Sequence, residues 1–154
     1  MNALSLLQDE LSLRSIPTSS RKLDEAMGNG IRFGTITEFA GRIGTGKTQL
    51  IFQLMFNTIL PKPLGVIDGE AVYIATRPGS FNPERINEIA DHLVDIWRNK
   101  YGNTPAVNEF TREQALSRIL YTEVDSLLEL IKTVYYLKKL VQGCKNNVSF
   151  NIPE

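Results

Sequence analysis

Gly41-Arg42-Ile43-Gly44-Thr45-Gly46-Lys47-Thr48 is the stretch on which the reading of this chain turns. It satisfies the pattern G-x-x-x-x-G-K-[ST] at every fixed position. Ile36-Thr37-Glu38-Phe39-Ala40 precedes it and reads as a short buried strand. Gln49-Leu50-Ile51-Phe52-Gln53-Leu54-Met55-Phe56 follows and reads as an apolar helix. Strand, glycine loop and helix form the context that this pattern needs. The expectation is a loop that cradles the phosphates of a nucleoside triphosphate.

The chemistry explains the residue types. A polyphosphate is highly charged and hydrated, so its replacement solvent must be backbone amides that approach without a side chain in the way. Gly41, Gly44 and Gly46 supply that freedom, and Arg42, Ile43 and Thr45 complete the run of amides. The helix that starts near Lys47 adds unpaired N–H groups and the positive end of its dipole. Lys47 would meet the β- and γ-phosphates of ATP, and Thr48 would place its hydroxyl on Mg²⁺.

Hydrolysis asks for more. A second acid must hold the metal, and a carboxylate or amide must orient the attacking water. That acid normally ends a continuous apolar strand, and no such strand follows downstream. The last residues, Asn146-Asn147-Val148-Ser149-Phe150-Asn151-Ile152-Pro153-Glu154, alternate polar and apolar and contain no Asp. No catalytic residue is assigned. The expectation is an α/β P-loop core with a parallel sheet whose C-terminal half is missing.

The whole chain sets outer bounds. Its 154 residues suit one domain at most. A compact domain of that size buries roughly 70% of the surface its unfolded chain exposes. Basic and acidic residues balance at 17 each, so net charge points to neither nucleic acid nor membrane, although a local basic patch remains compatible with DNA. Cys144 is the only cysteine and fits a reducing compartment. No apolar run approaches the roughly 20 residues of a membrane span, and the first residues lack the pattern of a secretory signal. The expectation is a soluble intracellular protein without membrane contact.

Residues 1–20 read as a lead-in helix and linker, and residues 21–154 as the partial nucleotide domain. Leu4, Leu7 and Leu11 recur at helical spacing over residues 3–13. They suit either a contact with a neighbouring protomer or a cover for this chain's own sheet edge. Ile16-Pro17-Thr18-Ser19-Ser20 is a linker, and a helix from Arg21 to Met27 ends in Gly28-Asn29-Gly30. The phosphate-loop helix should run to about Leu60. Ala71-Val72-Tyr73-Ile74-Ala75 is a second strand. Asn82-Pro83-Glu84 announces a helix to about Asn99. A short helix over Thr111 to Leu116 and a strand over Arg118 to Tyr121 follow. Ser126 and Glu129 fit a capping box, after which Leu127, Leu130, Ile131, Val134, Leu137 and Val141 form an apolar stripe. Alternating strands and helices predict parallel strands with right-handed crossovers.

Further residues carry a resemblance. Leu23-Asp24-Glu25-Ala26-Met27-Gly28-Asn29-Gly30-Ile31 resembles the lead-in of RecA-type recombinases, and Ile36-Thr37-Glu38 resembles their first core strand. Gly46-Lys47-Thr48-Gln49-Leu50 followed by Gln53-Leu54 looks like the eukaryotic and archaeal branch. Gly69-Glu70-Ala71-Val72-Tyr73-Ile74, Gly79-Ser80-Phe81 and Pro83-Glu84-Arg85-Ile86 look like that branch's second strand and next helix. The segment from Ile59 to Gly69 and the lead-in from Ala3 to Glu10 are similar to the C-type paralogues of homologous recombination. The resemblance covers about Ala3 to Val141. It implies an ATP-binding subunit in the nucleus, partnered by other recombinase paralogues or the recombinase filament, which meets single-stranded DNA through the complex in mitotic or meiotic repair.

Two departures accompany it. The family places a water-activating Glu after its second strand, whereas this chain reads Ala75-Thr76-Arg77-Pro78-Gly79-Ser80-Phe81, with one extra residue. Neither Arg77 nor Pro78 accepts a proton from water at neutral pH. The family's metal-binding acid and DNA-binding loops belong to its C-terminal half. Competing readings are a non-catalytic nucleotide-binding interaction module and a different P-loop enzyme such as a small-molecule kinase. A kinase needs an Arg-rich lid, which Pro61–Gly69 does not offer.

The remaining candidates have plain explanations. His92 reads as a solvated or partner-facing helix residue and Cys144 as a bystander thiol. Lys132, Lys138, Lys139 and Lys145 suit a solvated face, with DNA contact as the alternative. Arg85 fits a helix surface. Trp97, Tyr135 and Tyr136 are expected in the core or at an edge.

Overall fold

The computed structural model describes residues 15–61, 67–102, 104, 105, 107 and 110–143. The expected helix over residues 3–13, Cys144, Lys145 and the tail over 146–154 lie outside the described residues. The described residues fall into two compact units. One is drawn from Met1–Val72 and Pro83–Leu120, the other from Tyr73–Asn82 and Tyr121–Glu154.

The first unit begins with a short antiparallel pair, β1 (Ser15–Ile16) and β2 (Ile31–Arg32), in the register Ser15 to Arg32 and Ile16 to Ile31. Sequence reading had assigned this stretch to linker and lead-in, because two-residue strands carry no periodicity. Between them lies α1 (Arg21–Ala26). It stops where glycine permits a left-handed turn: Gly28 has φ 71°, Met27 N–H donates to Leu23 O at 3.0 Å, and Asn29 N–H donates to Asp24 O at 2.7 Å.

Gly30 shows how tightly this pair closes. Its φ is 102°, and a Cβ added there would sit 2.4 Å from the carbonyl oxygen of Ile16. Gly30→Ala is expected to destabilise the first unit by about 2 kcal/mol or more, from left-handed strain plus backbone collision. Gly28→Ala meets nothing within 4 Å and should show only the strain, about 1 kcal/mol. Urea melts of the two variants side by side test this ordering.

The loop helix α2 spans Lys47–Ile59 and α3 spans Pro83–Tyr101, two residues beyond its expected end. Gly102, at φ 68°, closes α3 by donating to Arg98 O at 2.9 Å. α4 (Arg112–Ser117) starts at Thr111, whose hydroxyl accepts from Gln114 N–H at 3.3 Å. The core of this unit centres on Phe52, Phe56, Ile59, Ile86 and Val107. Trp97 packs there against Phe110 with ring centroids 5.3 Å apart. The second half of α2 is buried around most of its circumference, since Phe52, Leu54, Met55, Phe56, Asn57 and Ile59 are all buried, as an apolar helix in a core must be.

β3 (Ala71–Ala75) pairs with β4 (Ile119–Glu123). Ala71 N–H donates to Arg118 O at 3.0 Å, and Val124 N–H donates to Ala75 O at 2.9 Å. Both partners ascend together, so the strands are parallel, as the alternating order requires. β4 runs two residues past its expected end at Tyr121. In the second unit, Tyr73, Phe81 and Tyr121 form an aromatic cluster, with Phe81 and Tyr121 centroids 4.2 Å apart. α5 (Leu127–Gly143) opens with the expected serine cap, Glu129 N–H donating to Ser126 Oγ at 3.3 Å. The glutamate half of the box differs: Glu129 Oε2 accepts from Asp125 N–H at 2.9 Å rather than from the cap residue.

Two expectations are corrected. Residues 36–40 form no strand, and Ile36 is fully exposed. A strand is stabilised by its ladder, and no described residue pairs with this segment, so an apolar pattern alone does not make one. Tyr135 and Tyr136 lie exposed on α5, with the Lys139 ammonium 4.9 Å from the Tyr135 ring centroid. The apolar stripe of α5 is largely in water: Leu127, Ile131, Val134 and Val141 are 54–75% exposed, while Leu130 and Leu137 are half-buried. Lys132, Lys138 and Lys139 are exposed on the same helix.

Candidate nucleotide-binding site

The loop from Gly41 to Thr48 bridges an extended segment and α2. Two of its glycines occupy the left-handed region, Gly44 at φ 83° and Gly46 at φ 86°. Gly46 is also the N-cap of α2, where it places its carbonyl to accept from Leu50 N–H at 2.9 Å. A side chain at either position would be strained, so the glycines of the motif have a backbone reason here. Gly41 has a steric one: a Cβ there would lie 3.1 Å from Thr45 Oγ1 and 4.0 Å from Lys47 Nζ.

Lys47 is the half-buried residue at the centre of this arrangement. Its ammonium donates to Gly41 O at 2.8 Å and Arg42 O at 2.7 Å, with Thr45 Oγ1 at 3.4 Å. Thr45 Oγ1 in turn donates to Arg42 O at 2.9 Å. The lysine therefore folds the loop around a fixed cationic centre. Thr48, in the first turn of α2, keeps its side chain exposed. Arg42 and Ile43 also point to solvent, Ile43 almost completely.

A cavity of about 510 Å³ adjoins the loop, lined by Leu23, Phe39, Gly41, Thr45, Lys47 and Leu50 among others. One wall is the polar loop and the other is apolar. The donor set fits a Mg²⁺-bound triphosphate: glycine-lined backbone amides at a helix N-terminus, one ammonium and one exposed hydroxyl. Among the described residues there is no group of three or more His, Cys, Asp or Glu that could hold a metal. The loop's side-chain hydroxyls are those of Thr45, which is bonded to Arg42 O, and Thr48.

Two arginines reach this unit's key helix in ways the sequence did not announce. Arg85 pairs with Glu88 at 2.7 Å and also donates to Gln49 Oε1 at 3.4 Å, one residue past Thr48. Arg118 donates to Ile59 O at 3.2 Å, at the carbonyl end of α2, and to Asp68 Oδ1 at 2.5 Å. A cation at the C-terminus of a helix complements its dipole. Both contacts join residues far apart in the chain, and spacing rules see only near neighbours.

The turn after β3 belongs to the second unit and carries no acid. Ser80 N–H donates to Arg77 O at 3.1 Å, and Gly79 has φ 69°. Its carboxylate contact comes from β4 instead: Glu123 Oε1 accepts from Gly79 N–H at 3.1 Å and Oε2 from Tyr121 OH at 3.0 Å. Partial desolvation and then this hydrogen bond and its charge push the Tyr121 hydroxyl above the usual phenol range. Glu123 is the functional-looking residue that sequence reading passed over, since nothing in its neighbourhood matches a motif. His92 lies exposed on α3.

Residues 10–128 match the Rad51 family model. The chain is 33% identical to "DNA repair protein RAD51 homolog 3" of Dictyostelium discoideum over 95% of its own length and 39% of that protein. It is 36% identical to the protein of the same description in Cricetulus griseus, over 88% of this chain and 38% of that one. The "DNA repair and recombination protein RadA" of Aeropyrum pernix is 44% identical over 57% of this chain and 27% of its own length. The chain thus spans less than two-fifths of the length of these relatives. With the phosphate loop, its helix and the parallel strands all inside the matched range, the chain belongs to the Rad51 family and carries part of its RecA-like P-loop core.

Proposed function

We propose that this chain binds ATP with Mg²⁺ in the Gly41–Thr48 loop and serves as a recombinase paralogue in DNA double-strand-break repair by homologous recombination. The observation that carries the reading is the loop itself: two left-handed glycines, a helix N-terminus and a lysine held at the centre. In it Gly41, Arg42, Ile43, Gly44, Thr45 and Gly46 would offer amides, Lys47 would neutralise the β- and γ-phosphates, and Thr48 would ligate Mg²⁺. The metal would supply charge neutralisation of the phosphates. The relatives are DNA repair proteins by description, which supports the repair role. On this reading the chain works in the nucleus beside other recombinase paralogues or the recombinase filament, and reaches single-stranded DNA through that assembly. Residues 1–20 would be its lead-in and 21–154 its partial nucleotide domain.

A second reading, a nucleotide-binding module without turnover, draws on the Arg77-Pro78 turn, which has no carboxylate of its own. Both readings require binding. Calorimetric titration of the purified chain with ATP and Mg²⁺ should give a saturable single-site isotherm, and ADP should compete. Absence of saturation with millimolar nucleotide would overturn both.

A further inference from the structure

Asn57 and Thr18 are the buried polar side chains among the described residues, and Asn57 hydrogen-bonds the residues on either side of Thr18 to form a clasp. Asn57 sits in the last turn of α2. Its Nδ2 donates to Pro17 O at 2.6 Å and to Ser19 Oγ at 2.9 Å, and its Oδ1 accepts from Gln53 Nε2 at 3.0 Å. Thr18 N–H donates to Asp24 Oδ1 at 2.8 Å, so the same short segment also grips α1. Among the described residues, no buried side-chain polar atom is left without a partner. Such a fully satisfied network specifies one arrangement of the segments it joins.

Ser19 gives an independent sign that the arrangement is imposed. Its φ is 64°, in the left-handed region. Among the described residues, the other non-glycine ones there are Asn29 and Asp68, types that tolerate it. Serine is less common in that region, and here its hydroxyl is held by hydrogen bonds with Asn57. Residues held in such conformations cluster at active sites, ligand clamps and switch regions.

The clasp is connected to the phosphate loop twice. α2 carries Lys47 at one end and Asn57 at the other, about 15 Å apart along a rigid helix. The gripped segment leads into α1, whose Leu23 lines the cavity shared with Lys47 and Leu50. We propose that the Ser19–Asn57–Gln53 clasp is a conformational device that couples occupancy of the phosphate loop to the order of the segment ahead of the domain. The proposal rests on the nucleotide reading of the loop. A ligand in the cavity favours the arrangement in which Leu23 and α2 are held together, and that is the arrangement the clasp closes. Linkage then makes the effect mutual: a closed clasp tightens nucleotide binding and bound nucleotide tightens the clasp. Nucleotide state would thereby be legible at residues 15–20.

Hydrogen exchange on the full chain, with and without Mg²⁺ and ATP, tests this. Saturating nucleotide should slow exchange over residues 15–20 by about fivefold or more. Asn57→Leu should abolish that difference and weaken Mg²⁺–ATP binding by roughly five- to tenfold. Because Asn57 is buried, two variants at less buried positions accompany it: Gln53→Ala, at a half-buried position, and Ser19→Gly, at an exposed one, which removes the hydroxyl while relieving the strain. Each should keep a cooperative melt and lose most of the nucleotide-dependent protection. Calorimetric binding with unchanged exchange over 15–20, or protection retained in both accompanying variants, overturns the proposal alone. No binding of ATP overturns the loop assignment and the coupling with it.

Discussion

Lys47→Ala should weaken ATP binding by about two orders of magnitude while leaving the fold intact. Charge-assisted hydrogen bonds are worth about 1.5–3 kcal/mol each when their loss leaves an anion uncompensated. The lysine offers a multiply charged ligand its concentrated positive charge, and alanine offers nothing. The protein-internal losses are small by comparison. The ammonium's partners, Gly41 O and Arg42 O, lie in an exposed loop, so water takes its place. A thermal melt should therefore coincide with that of the unaltered chain. Equal affinities for Mg²⁺–ATP in the two proteins would show that the loop is not the nucleotide site.

Bound ATP should turn over at least about 10²–10⁴-fold more slowly than in a relative that carries a water-activating acid after its second strand. The turn at that place reads Arg77-Pro78-Gly79 and is shaped by a bond between its own ends. A guanidinium cannot take a proton from water, and proline's ring nitrogen cannot either. Arg77→Glu alone should not restore full activity, because the register of the turn differs by one residue and Gly79 is tied to Glu123. Phosphate release is the measurement. A normal rate from the purified chain, silenced by Lys47→Ala, would show that the turn is not limiting.

Local rules read most of the helices correctly because their signals are local. Asn82-Pro83-Glu84 starts α3, Thr111 caps α4, and Ser126 caps α5, each within a turn of its prediction. The turn conformation of residues 41–48 was legible for the same reason, since Gly44 and Gly46 serve the backbone of the loop itself. Ile36 to Ala40 was not: whether an apolar pentapeptide is a strand depends on partners that may lie anywhere in the chain. Arg85, Arg118 and Glu123 were missed likewise, because each acts on a residue from a distant part of the sequence. Asn57 hid for a different reason. An asparagine inside an apolar helix reads as a blemish until the carbonyl of Pro17 is seen beside it.

The parallel pairing of β3 with β4 sets a timetable for synthesis. Ala71 and its partner Arg118 are roughly 50 residues apart in the chain. At a ribosomal rate of about 5–20 residues per second, β3 waits on the order of 2–10 s for the strand that completes its ladder. Ala71-Val72-Tyr73-Ile74-Ala75 is uncharged, β-branched and aromatic, the composition most prone to pair with a neighbour's strand. α2 and α3, built from local contacts, form within microseconds of emerging. The growing chain thus passes through a stage in which its helices stand and its most adhesive segment is unpaired, and slower elongation between Pro83 and Arg118 lengthens that stage in direct proportion.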